Sequence, residues 1–147
     1  MKPYAHHGKK VCLRLFGIVI LLLAATGPFS SGFARNTQAD RAILKEAVVC
    51  EVVRDFRPVN PAITFSIEKG SITCFTRFAF ISSETFISHR WYRKDKLVTE
   101  QQLVVKPPQW STYSSIQLRE FDKGPWRVDI VDPNNRVLTI LRFSVTE

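Results

Sequence analysis

The chain has 147 residues, with 21 Lys and Arg against 13 Asp and Glu for a formal charge of +8, and a hydrophobic share of 45%. That apolar content is globular and excludes a disordered or collagen-like chain, and the length holds one core rather than two. Eight Pro, six Gly, a 12% aromatic share and many Val, Ile, Thr and Phe favour strands, because β-branched and aromatic side chains fill a pleated, half-buried surface.

Residues 1–34 carry Lys2, Lys9, Lys10 and Arg14 and no acid, then an uncharged apolar run over 15–27, then Gly32 and Ala34. This is the pattern of a secretory signal peptide, with cleavage expected after Ala34. The run is shorter than the about 20 residues that a helix needs to cross the hydrocarbon core. The alternative is an uncleaved leader that anchors the chain in the inner membrane. Cys12 precedes the run, so no lipidated cysteine is implied. The remaining 113 residues keep 17 of the 21 basic residues against 13 acids, a net +4. That balance lacks the clustered basic stripe of a nucleic-acid binder and excludes nucleic acid as a partner.

Residues 35–46 read as a mixed lead-in without a function, and 47–147 as a single β domain. Strands are expected over 47–54, 63–67, 71–80, 85–94, 96–105, 112–119, 126–131 and 137–145, at the spacing of an antiparallel sandwich. Arg57-Pro58-Val59-Asn60-Pro61 is expected to be a loop, because proline lacks a backbone donor and restricts the residue before it. Lys69-Gly70, Lys94-Asp95 and Asp132-Pro133-Asn134-Asn135 are turn chemistry, and Lys106-Pro107-Pro108 ends the fifth strand.

Alternation sorts the side chains. Trp126, Val128 and Ile130 oppose Arg127 and Asp129, and Val137, Thr139, Leu141, Phe143 and Val145 oppose Arg142 and Ser144. On the fourth strand His89, Trp91 and Arg93 oppose Arg90, Tyr92 and Lys94. Cys74, then Trp91, then Asp122-Lys123-Gly124-Pro125-Trp126-Arg127-Val128 echo the spacing of an immunoglobulin domain. Trp126 takes the place of the corner tyrosine and Val128 that of the second cysteine, so the usual inter-sheet disulfide is impossible and both tryptophans belong to the core. The expected fold is therefore all-β, an immunoglobulin-like antiparallel β-sandwich of about seven to eight strands behind an N-terminal signal segment.

Four ordered motifs are more specific: Arg57-Pro58-Val59-Asn60; His89-Arg90-Trp91-Tyr92 with the hairpin to Lys96-Leu97-Val98; Trp110-Ser111-Thr112-Tyr113-Ser114-Ser115; and Gly124-Pro125-Trp126-Arg127-Val128 followed by Val137-Leu138. With them, residues 47–145 resemble the bacterial family catalogued as domain of unknown function 2914 (DUF2914). The resemblance implies an envelope-associated, predominantly β domain and carries no catalytic residues over.

The inventory for chemistry is poor. After the leader there is one histidine, His89, and two cysteines, Cys50 and Cys74, with no CxxC, HxH or HExxH spacing, so neither a metal nor another cofactor is expected. A hydrolase would rest on His89, yet no GxSxG elbow accompanies it and Ser88 would point to the opposite face. Cys50 and Cys74 both read as inward, and an exported chain invites a bridge between them, worth about 3–4 kcal/mol in the chain-entropy model. Two buried free thiols are the alternative.

What remains is a surface. Arg90, Tyr92, Arg127 and Asp129 are expected on one outer sheet face, where Arg and Tyr can anchor a partner or stabilise the sheet as cross-strand pairs. Trp110 and Tyr113, after the double proline, form a second candidate site that either stacks on sugar rings or closes one end of the core. The sequence thus points to a non-catalytic binding module of the cell envelope, periplasmic or secreted, whose partner is an envelope protein or a cell-wall glycan. Membrane contact is expected only through an uncleaved leader. A structural component of an envelope assembly is the alternative.

Overall fold

A computed structural model describes residues 42–147; the expected signal segment and most of the lead-in lie outside the described residues. Nine strands follow: β1 (Ile43–Arg54), β2 (Arg57–Pro61), β3 (Thr64–Ser66), β4 (Ser71–Ala79), β5 (Thr85–Arg93), β6 (Lys96–Val105), β7 (Gln109–Gln117), β8 (Gly124–Val131) and β9 (Val137–Thr146). One sheet has the order β2-β1-β4-β7 and the other β3-β9-β8-β5-β6. Cys74, Trp91 and Trp126 thus stand on β4, β5 and β8, with β8 beside β5, as the immunoglobulin-like spacing predicts. The pairing is antiparallel except for β3, which runs parallel to β9. Among the described residues no helix is long and apolar enough to cross a membrane.

Two strand expectations are corrected. The proline-rich segment 57–61 is not a loop but β2, paired with β1 at Val52↔Val59, Val53↔Pro58 and Arg54↔Arg57. It lies at the sheet edge, where one side of the strand needs no ladder donors and proline is therefore tolerated. Asp55 and Phe56, both at positive φ (47° and 55°), make the tight turn into it. The lead-in is already strand from Ile43, and a one-residue irregularity between Leu44 and Glu46 breaks the alternation that would have revealed it.

The core lies between the sheets and centres on aromatic rings. Phe143 stacks on Trp126 (centroids 6.1 Å apart, planes at 17°) and meets Trp91 and Phe65 edge-on at 6.1 and 5.9 Å. Trp126 Nε1 donates to the Asp122 carbonyl at 2.7 Å, a tryptophan version of the corner that a tyrosine hydroxyl otherwise makes with backbone a few residues upstream. Val128 is fully buried where a second cysteine would stand, so apolar packing with Trp91 replaces the disulfide.

Candidate functional site

The two faces of β5 carry the residues of interest. On the outer face Arg90 stands opposite Asp129 and Tyr92 opposite Arg127, so the four expected residues do converge. The Arg127 guanidinium lies 4.0 Å above the Tyr92 ring, with its Nε 3.1 Å from Asp129 Oδ1 and its Nη1 on Asp95. Asp129, though on the outer face, is only 8% exposed beneath this lattice. Arg90 reaches sideways: its Nε is 3.1 Å from Glu100 on β6, and its Nη2 donates to Asn135 Oδ1 at 2.7 Å. Burial is the largest single influence on the Arg127 charge and opposes it, but Asp129 and Asp95 together outweigh it and raise its pKa. Arg90 and Arg127 are thus locked cations.

Beside it opens a cleft of about 430 Å³ lined by Tyr92, Lys94, Asp95, Arg127 and Arg142, with Ile63, 77% exposed, among its apolar walls. Ile63, Lys94, Asp95 and Arg142 were not among the expected site residues. Arg142 had been sorted away from the core by parity, but its place opposite Arg127 depends on the β8–β9 register.

On the inner face His89 is fully buried between the sheets. Its Nδ1 lies 2.8 Å from Ser114 Oγ and its Nε2 3.2 Å from Thr76 Oγ1. Trp91 Nε1 donates to Ser114 Oγ at 3.0 Å, and Thr76 Oγ1 donates to the Thr112 carbonyl at 3.4 Å. One proton arrangement satisfies every group: Trp91 to Ser114 to His89 Nδ1, and His89 Nε2–H to Thr76 to the carbonyl. Protonating the ring would leave the Ser114 hydroxyl without an acceptor here. Burial, with nothing to offset it, pushes the His89 pKa down to about 3. The ring is neutral and enclosed, so no substrate reaches it in this fold.

The expected Cys50–Cys74 disulfide is not formed; both cysteines are free and buried. Cys74 stands opposite Val49 and faces the core, whereas Cys50 stands opposite Thr73 and so points to the other face of the same sheet. Side chains that leave a sheet in opposite directions cannot be bridged. The parity of β1 is therefore the reverse of the expected one: Val49 is core, and Val48, Cys50 and Val52 lie outward. Burial raises both thiol pKa values, with the Cys50 charge adding to the effect on Cys74. Among the described residues no three His, Cys, Asp or Glu side chains gather as metal ligands would.

Trp110 and Tyr113 do not form one site. Both are in β7, which starts at Gln109 rather than at Thr112. Trp110 opposes Phe78 on the core-facing side, where Lys106 lies 5.9 Å above its ring. Tyr113 opposes the buried Phe75 on the outer side.

No curated protein matches the chain. Among solved structures it is similar to a mutant beta-glucosidase from Listeria innocua in complex with laminaribiose (9% identity, TM-score 0.44, covering 72% of this chain and 16% of that one). It is also similar to beta-glucosidase from Listeria innocua in complex with isofagomine (8% identity, TM-score 0.40, covering 71% and 16%). The chain thus spans about a sixth of those enzymes' length, and likeness at this level assigns nothing to it. Residues 84–145, which hold three of the four motifs and strands β5 to β9, match the family described as protein of unknown function (DUF2914), the family that the sequence resembles.

Proposed function

We propose that this chain is a non-catalytic binding module of the bacterial cell envelope, exported through its N-terminal segment, and that it meets its partner with the outer face of the five-stranded sheet. One observation carries this reading: Arg90, Tyr92, Arg127 and Asp129 share that face beside an open cleft, with Ile63 and Ile140 exposed nearby. Tyrosine and arginine with a few exposed aliphatic side chains are the composition of recognition surfaces, because they bring large contact area and forked donors at modest entropic cost. A hydrolase using His89 loses its base to the core. The partner on this reading is an envelope protein or a cell-wall glycan.

The test is capture by the full chain from solubilised envelope and from isolated sacculi, beside an Arg90→Ala, Tyr92→Ala variant shown by circular dichroism to be folded. Saturable capture that the variant loses is the expected result. Capture that the variant retains moves the interface to another face, Tyr113 first. Absence of capture from both fractions sinks the reading and leaves a structural component of an envelope assembly.

A further inference from the structure

Arg127 on β8 and Arg142 on β9 stand directly opposite each other on the outer face. Like charges at facing positions destabilise a sheet. For Arg127 the offset is internal, since Asp129 at 3.1 Å and Asp95 both pair with it. Among the described residues the side chain of Arg142 has no ion-pair or hydrogen-bond partner, and neither has that of Lys94. Both line the cleft of about 430 Å³ with Arg127 between carboxylates, and Arg142 also lines a second cleft of about 380 Å³ that shares Ile63 with the first. Two unneutralised cations thus converge on a space of ligand size, beside a third that is fixed in place.

We propose that this cleft binds a phosphate group, held by the Arg142 fork and the Lys94 ammonium, with the restrained Arg127 as the third cation. The inference rests on the outer face being a binding surface. The cleft and its floor hold three cations, Arg127, Arg142 and Lys94, against the two carboxylates of Asp95 and Asp129, a net charge of +1, and the two cations without partners are the counter-charges open to the oxygens of an anion such as phosphate. A guanidinium fork takes two phosphate oxygens at once, and the ammonium takes the third as a point charge. Tyr92, Pro125 and Ile63 give the body of the ligand an apolar wall.

The experiment is titration of the full chain with inorganic phosphate, against chloride at matched ionic strength, read by calorimetry and by thermal midpoint. Glucose 1-phosphate and vesicles containing phosphatidic acid follow as probes of a soluble and a lipid-borne source. Phosphate raises the midpoint where chloride does not, and Arg142→Gln and Lys94→Gln each weaken binding at least tenfold. Without ligand the midpoint of Arg142→Gln equals or exceeds the wild-type value, because the facing like charges are relieved; a misfolded variant would show a lower one. Tighter binding of the sugar phosphate assigns a soluble ligand, and tighter binding of the vesicles a headgroup. Equal action of phosphate and chloride, or undiminished phosphate binding by both variants, overturns the proposal. If envelope capture persists while phosphate does nothing, the cleft proposal fails and the outer-face reading stands.

Discussion

Successive residues of β5 belong to two environments. His89 and Trp91 are fully enclosed between the sheets, whereas Arg90 and Tyr92 lie on the outer face among charged neighbours. Inside, each polar atom has a partner within the network and the ring stays neutral, because an unpaired buried group would cost about 1–3 kcal/mol. Outside, the arginines carry full charge and are held by carboxylates that water screens. A single family-like motif, His89-Arg90-Trp91-Tyr92, therefore specifies the fold with alternate residues and the surface with the others.

The largest expected effect breaks the inner set. Trp91→Ala removes a fully buried ring that packs on Phe143 and leaves Ser114 without its donor, so urea unfolding should show a loss of about 3–5 kcal/mol. A loss under about 1 kcal/mol would mean that the enclosed half of β5 does not organise the core.

The next effect is a pH dependence. The His89 pKa is near 6.5 in the unfolded chain and about 3 in the fold, so between those values the unfolded chain binds the extra proton. Stability from this residue is complete above about pH 6.5 and declines as the pH falls, by about 1.4 kcal/mol per unit, until the folded ring titrates near pH 3. His89→Gln should flatten that slope in denaturation curves taken between pH 6.5 and 4.5, at the cost of a lower plateau. An equal slope in wild type and variant would overturn the assignment to His89, because carboxylates such as Glu51, whose pKa is lowered by Asn60 and Lys69, lose their contribution only as the pH falls through and below about 4.5.

On the outer face the expected effect is smaller. Arg90→Ala, Glu100→Ala and their double mutant should couple by less than about 1 kcal/mol, because the pair is partly exposed and screened. Such a small coupling sharpens the contrast: if holding the sheet were the purpose of these arginines, it would be larger.

The adjacency of β5 and β8 was legible because Trp91 and Trp126 fit the immunoglobulin-like spacing, and the outer quartet was legible because parity against Trp91 and Val128 fixes it. Other features depended on events that periodicity does not record. Counting back from Val131↔Val137 would place Leu141 opposite Arg127; the irregularity between Ile130 and Val131 shifts the register and brings Arg142 there instead. Edge position made β2 compatible with its prolines. The first sheet also buries an apolar residue on its outer side, Phe75, with Arg77 5.4 Å above the ring, so apolar character alone could not tell the faces of β1 apart.

That ambiguity governs the smallest expected effect, which is none. In a Cys12→Ser background the thermal midpoint should be the same with and without a reductant, since Cys50 and Cys74 leave the sheet on opposite sides. Both thiols should also resist labelling until the chain unfolds, because burial removes access and raises their pKa values together. A midpoint that falls on reduction would show that the two side chains do meet, and with them on one face the whole register of β1 against β4 would have to slip by a residue. Val49 would then leave the core and Val48 enter it, a change that labelling of Val48→Cys and Val49→Cys variants would register independently. The reductant experiment therefore asks of the first sheet what the His89 and Arg90 variants ask of the second: which of two neighbouring residues the fold has enclosed.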